Sequence, residues 1–205
     1  IWHGLSDRVL IEQTYPGQAD YQAHFNAILP ALKDERYLRV GDRPIFHVYK
    51  PHYLPSAAAF VDSWQALARK AGLTGLYLVA GLGETYQDFT RDGFDGGFRS
   101  TFPYNPPTGK QYLTRFRRKV LRHPLVRQYS SEPLPAGRAS DTLGPTFPCV
   151  FPNWDNTPRS GRAGLVLTNA TPERFRTHVR AAVDSLSMFP PEERLLWIKS
   201  WNEWA

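Results

Sequence analysis

Two kinds of apolar spacing alternate along this chain. Residues 44–49 (PIFHVY) and 76–80 (LYLVA) are short continuous apolar runs, the pattern of strands buried on both faces. Between them Phe60, Trp64, Leu67 and Ala71 recur at three-to-four spacing, which predicts an amphipathic helix with Ser56 as its N-cap, Arg69 and Lys70 at its carboxyl end and Gly72 as its stop. A buried strand, a helix and another buried strand require a parallel pair joined by a crossover. An earlier helix is predicted over 19–32, where Tyr21, Phe25, Ile28 and Leu32 share a face, Asp20 favours the first turn and Pro30 weakens the last. Further apolar runs at 94–98 (FDGGF, carrying Asp95), 147–151 (FPCVF) and 195–198 (LLWI) read as strands. Thr171-Pro172-Glu173 opens a helix whose stripe is Phe175, Val179, Ala182 and Leu186, and Pro190-Pro191 ends it.

Two of these runs break off abruptly into polar, indole-bearing segments. LLWI leads to Trp201, Asn202, Glu203 and Trp204, and FPCVF leads to Pro152, Asn153, Trp154, Asp155 and Asn156, followed by Arg159. A carboxylate held between two indoles loses hydration, which raises its pKa and suits it to proton transfer, while indole faces are flat platforms for the apolar face of a sugar. The plain alternative for Glu203 is a pairing with an arginine while the tryptophans merely fill space. An Asp-Asn turn at 155–156 can equally satisfy its own backbone. Residues 9–14 end in Glu12 and Gln13 before Pro16-Gly17, either substrate-facing groups at a strand end or an ordinary exposed turn. Tyr49 closes the strand at 44–49, whereas His47 lies inside it and reads as a hydrogen-bonded core residue rather than a ligand. Gly81-Leu82-Gly83 begins like a dinucleotide loop, but Tyr86 stands where the third glycine belongs.

Composition changes the picture in three ways. The chain is 41% hydrophobic and 14% aromatic, a globular balance. Ten of its 18 prolines fall between Pro103 and Pro158, so the stretch at about 103–146 reads as one elaborated loop. Within it, residues 110–122 set Tyr112, Phe116 and Val120 against Arg115, Arg117, Arg118, Lys119 and Arg122, either a solvated helix face or a peripheral contact with an anionic membrane surface or glycan. A net charge of +6 and a pI near 9.5 favour anionic partners such as acidic glycans, nucleotide-activated sugars or a phospholipid surface. The single cysteine, Cys149, excludes an intrachain disulfide and a cysteine-based zinc cluster, and no apolar run reaches the roughly 18 residues of a membrane span. No G-x-S-x-G elbow, GxxxxGK loop, H-E-x-x-H or D-x-D motif is present, and His47 and His52 have no usual ligand spacing. No metal, cofactor or nucleic-acid partner is expected, and the cytoplasm is the favoured compartment.

The W-N-E-W-A ending resembles the terminal motif of glycoside hydrolase family 99-like domains, including the bacterial group called glycosyltransferase WbsX-like. Residues 9–17 (VLIEQTYPG), 36–51 (RYLRVGDRPIFHVYKP) and 151–159 (FPNWDNTPR) agree with it. The resemblance implies a (β/α)8 barrel, typically roughly 250 residues. The expectation is therefore α/β: a partial (β/α)8 TIM barrel lacking its N-terminal strands, residues 1–205 forming a single truncated domain, with early strands before Ile1. Active sites of such barrels open at the carboxyl ends of the strands, where both polar endings would meet. In the family the motif normally continues W-N-E-W-x-E-G. Family 99 endo-mannosidases are retaining enzymes thought to use the substrate's own 2-hydroxyl as nucleophile, the first Glu as its base and the second as acid/base. Position matching puts the first role on Glu203. Glu12, Tyr49, Trp154, Asp155, Asn156, Trp201, Asn202 and Trp204 would contact the sugar. The activity implied is cleavage of glycosidic bonds in a bacterial surface polysaccharide; a WbsX-type transferase building such a polymer, and a non-catalytic glycan-binding barrel, are the alternatives.

Overall fold

The structure is a computed structural model that describes residues 12–82, 88–99, 102, 123–130, 137–140 and 143–201. The chain enters helix α1 (Gln18–Lys33) from Gly17, whose φ of 102° belongs to the region glycine alone adopts freely. Tyr21, Phe25 and Leu32 form its buried stripe, as the spacing predicts, and Pro30 sits on the exposed side without ending the helix before Lys33. Helix α2 (Ala57–Lys70) starts where Ser56 accepts a hydrogen bond from the Ala59 N–H at 3.2 Å. The helices meet through aromatic edges. Tyr21 lies 5.2 Å from Phe60 and Phe25 5.6 Å from Trp64, whose ring is fully buried.

The strands are β1 (Arg39–Val40), β2 (Arg43–Val48), β3 (Tyr77–Leu82), β4 (Gly96–Arg99), β5 (Leu125–Gln128), β6 (Gly137–Ser140), β7 (Leu143–Phe147), β8 (Cys149–Val150), β9 (Leu165–Thr168) and β10 (Trp197–Ile198). β2, β3, β4 and β7 run parallel, side by side in chain order, with antiparallel β1 and β6 at the two edges. Pro148 has no N–H and separates β7 from β8, but its carbonyl accepts from Trp197 N–H at 3.1 Å, and the Val150 carbonyl accepts from Lys199 at 3.0 Å. β10 thus takes the next parallel place, beside β8.

β3 shows why these strands are apolar throughout. Leu76, Leu78 and Ala80 are buried against α1 and α2, while Tyr77 and Val79 face a second cluster with Ile45, Phe98, Phe147, Phe151 and Leu195. Two glycines make room for one cluster each: a Cβ on Gly96 would strike the Phe147 ring of the second, and one on Gly97 would strike Leu82 and Phe89 of the first. The sheet is strongly curled. Four strand spacings separate β2 from β10, about 19 Å in a flat sheet, yet Trp197 lies 6.3 Å from His47 and stacks 5.3 Å from Phe98. The architecture is a mixed α/β fold with a curled half-barrel sheet. Its amino-terminal end is clipped together by Asp95, which accepts from Arg43 at 2.6 Å and from the Leu78 N–H at 2.8 Å, and by Gln65, which brackets both backbone groups of Leu76 at 2.9 Å.

The stretch that reads as one elaborated loop holds more order than its composition suggests. β5 pairs in parallel with β9, away from the main sheet, and β6 forms a hairpin with β7. Gly137-Arg138-Ala139-Ser140 has no alternation to reveal a strand, because an edge strand needs only backbone pairing. The basic segment 110–122 lies outside the described residues. Helix α3 (Pro172–Ser185) begins where Thr171 accepts from Arg174 N–H at 3.3 Å, and it buries His178 and Ala182.

Candidate functional site at the strand ends

The carboxyl ends of β2, β8 and β10 come together at one rim. Tyr49 follows β2 and is half exposed. The loop that carries it lies directly on the end of β3, since a Cβ on Gly81 would press into the Tyr49 carbonyl. That explains the glycine in Gly81-Leu82: it clears space for a neighbouring backbone, not for a dinucleotide. From β10, Lys199 donates to the Tyr49 hydroxyl at 3.0 Å and lies over the rings of Tyr49 and Phe151, 5.1 and 5.7 Å from their centroids. One ammonium therefore ties three strand ends. Sequence reasoning passed over Lys199, although its position two residues after Trp197, on the same strand face, was the available signal. Ser200 then takes φ 59°, a left-handed conformation costing about 1 kcal/mol for a residue with a side chain, and Trp201 stands 69% exposed. Asn202, Glu203 and Trp204 lie outside the described residues.

The segment after β8 is shaped by its own polar groups. Asp155 accepts from the Thr157 N–H at 2.9 Å and the Thr157 hydroxyl at 2.7 Å, and Asn156 accepts from Leu165 N–H at 2.6 Å. Both side chains thus hold the turn, as the plain alternative anticipated. Gly164 sits so close to Asn156 Oδ1 that a Cβ there would crowd it. Trp154 is half-buried, with Phe102 5.0 Å away and the Arg159 guanidinium 5.9 Å above its ring; its buried indole N–H meets no acceptor. Phe102 also contacts Phe151 at 5.0 Å, which joins the indole to the core. Glu12 is exposed on the extended lead into α1.

Beneath the rim the half-barrel is neutral and apolar. His47 meets Phe98 edge to face at 4.3 Å, and burial pushes its pKa down to about 4. Its Nε2 has no hydrogen-bond partner, so His47 is held by aromatic packing rather than by the hydrogen bond its position in the sequence suggests. Cys149 is buried, and burial raises its thiol to about 11, which leaves it unreactive.

A polar relay that the pattern of residues did not reveal supports the β8 end from behind. The Tyr129 hydroxyl lies 2.7 Å from both the Phe151 carbonyl and His178 Nδ1. A carbonyl only accepts, so the phenol donates to Phe151 and Nδ1–H donates to the phenol oxygen; the proton positions follow from this network. His178 is 1% exposed, and burial lowers its pKa to about 4. Arg174 donates to the Tyr129 carbonyl at 3.2 Å. Among the described residues no group of three or more His, Cys, Asp or Glu could hold a metal ion, and no helix is long and apolar enough to cross a membrane.

The sequence profile of the Glycosyltransferase WbsX family matches residues 1–205. The chain belongs to that family. This WbsX-family chain is 33% identical over 213 residues to an uncharacterized protein WxcX from two strains of Xanthomonas campestris pv. campestris, across 100% of the chain and 29% of the relative. It therefore spans less than a third of the length of the curated relatives it matches. Among solved structures, a glycoside hydrolase-like protein shares the fold with a TM-score of 0.55 at 14% identity, over 94% of this chain and 54% of that one. Membership places the chain in a carbohydrate-active family.

Proposed function

We propose that this chain forms part of a carbohydrate-active enzyme acting on glycosidic bonds of a bacterial surface polysaccharide, with Glu203 as its catalytic carboxylate and the strand-end rim as its sugar site. The observation that supports this reading best is the Lys199–Tyr49 hydrogen bond. It draws the end of β10, two residues before Trp201, to the end of β2, and through Phe151 to the start of the Trp154–Asp155–Asn156 turn. In a parallel sheet that rolls up in chain order, this is the face on which barrel enzymes assemble their sites, so the half-barrel is read as a partial (β/α)8 barrel whose remaining strands lie elsewhere in the protein.

On this reading Trp154, Trp201 and Trp204 wall and stack the sugar. Tyr49, Asn202 and the outward atoms of Asp155 and Asn156 bond its hydroxyls, and Glu12 completes the rim. Glu203, which the sequence sets between Trp201 and Trp204, handles the proton. The isosteric Glu203→Gln change in the intact protein should lower turnover of the polysaccharide about a thousandfold while leaving glycan binding and melting temperature unchanged. Full activity in that variant would refute the assignment of Glu203. The family's description favours a second reading, transfer from an activated sugar. Release of a nucleotide from such a donor, dependent on acceptor and absent with water alone, would select it.

A further inference from the structure

The rim carries a second chemistry beside its indoles. Lys50 and Lys199 both lie over the Tyr49 ring, their Nζ atoms 5.9 and 5.1 Å from its centroid, and Lys50 also covers Tyr53 at 4.7 Å. Lys50 is exposed, and so are Tyr49 and Tyr53, at 51% and 59%. The hydrogen bond from Lys199 sets the direction of the phenol. An ammonium can only donate, so the Tyr49 oxygen accepts and its own O–H proton must be directed to a further acceptor. The result is a hydroxyl donor flanked by two ammoniums on an accessible surface. An anionic group seated beside the phenol gains from both ammoniums, whereas a neutral hydroxyl does not. A hydrogen bond with an ionised partner is about twice as strong as one between neutral groups, so the phenol O–H gains most from an anionic acceptor.

Building on the sugar-processing reading, we infer that Tyr49, Lys50 and Lys199 form a subsite for an anionic oxygen group carried by the sugar substrate, a carboxylate or a phosphate, with Tyr53 as the platform for the ring that bears it. The chain's net charge of +6 adds a favourable long-range field for such a ligand. The carboxylate form corresponds to an acidic polymer and the phosphate form to an activated donor, and the same pair of cations serves either.

The test is calorimetric titration of the intact protein with three probes: a uronic-acid oligosaccharide, a sugar 1-phosphate and a neutral oligosaccharide of matched length. At least one charged probe should bind more tightly than the neutral one and weaken as salt rises. Lys199→Met should weaken the charged probe about tenfold, with neutral binding changed less than about twofold, while Tyr49→Phe should weaken the charged probe about fivefold. Lys50→Gln, at an exposed position, gives the same readout if Lys199→Met fails to fold. Equal binding of charged and neutral probes, or charged binding untouched by both lysine changes, overturns the subsite and leaves the sugar reading standing. Failure of all three probes to bind overturns both. Which charged probe binds identifies the source of the anion.

Discussion

Acid should loosen this protein through His178. The imidazole is 1% exposed and its pKa is lowered from 6.5 to about 4, so between those values the unfolded chain binds a proton that the folded chain refuses. Stability therefore rises with pH across the window and is lost as pH falls from about 6.5 towards 4, below which the loss levels off. The displacement corresponds to about 3 kcal/mol, a large share of the 5–15 kcal/mol typical of a domain. The geometry explains the resistance: Nδ1–H is committed to Tyr129 at 2.7 Å, so the added proton must go to Nε2 and place a full charge on a ring that is almost entirely buried. His47, also lowered to about 4, contributes in the same direction, so wild type alone does not isolate the effect. The clean comparison is His178→Asn, whose amide N–H can stand in for Nδ1–H but does not titrate. Urea unfolding at intervals from pH 7.5 to 4.5 should show stability falling more steeply in wild type, the difference approaching about 3 kcal/mol. The variant's lower stability at pH 7.5 is immaterial, since the slope carries the result. Parallel curves for the two proteins would refute the reasoning.

The relay and the rim make two further predictions. Tyr129→Phe leaves the Phe151 carbonyl and His178 Nδ1 without their 2.7 Å partner and should cost about 2–4 kcal/mol in urea unfolding. It should also broaden the amide signals of residues 152–156, which hang from Phe151; an unchanged midpoint would show that water replaces the phenol. Gly81→Ala forces a methyl against the Tyr49 backbone and should destabilise by about 1–3 kcal/mol. Because the displaced segment carries Tyr49, glycan affinity measured by tryptophan fluorescence should fall with it, and an unaltered affinity would remove Tyr49 from the site.

Much of the scaffold could be read from spacing. The helices at Gln18–Lys33, Ala57–Lys70 and Pro172–Ser185 lie within two residues of their predicted starts, because caps such as Ser56 and Thr171 act within a single turn. Continuous apolar runs marked β2, β3 and β8 because a strand buried on both faces has no polar side to disguise it. Pairings between distant segments left no such mark: β5 with β9 and Tyr129 with His178 join residues 40 and 49 positions apart through backbone or single hydrogen bonds. The sequence by itself determined which residues are apolar on both faces, where helices begin and which indoles and carboxylates follow strands, since all of these depend on near neighbours. Only the tertiary structure decided that Asp155 and Asn156 hold their own turn, that Gly81 yields to Tyr49, and that Lys199 reaches the far strand. Those outcomes depend on how far the sheet curls, a property of all its strands together that no single segment encodes.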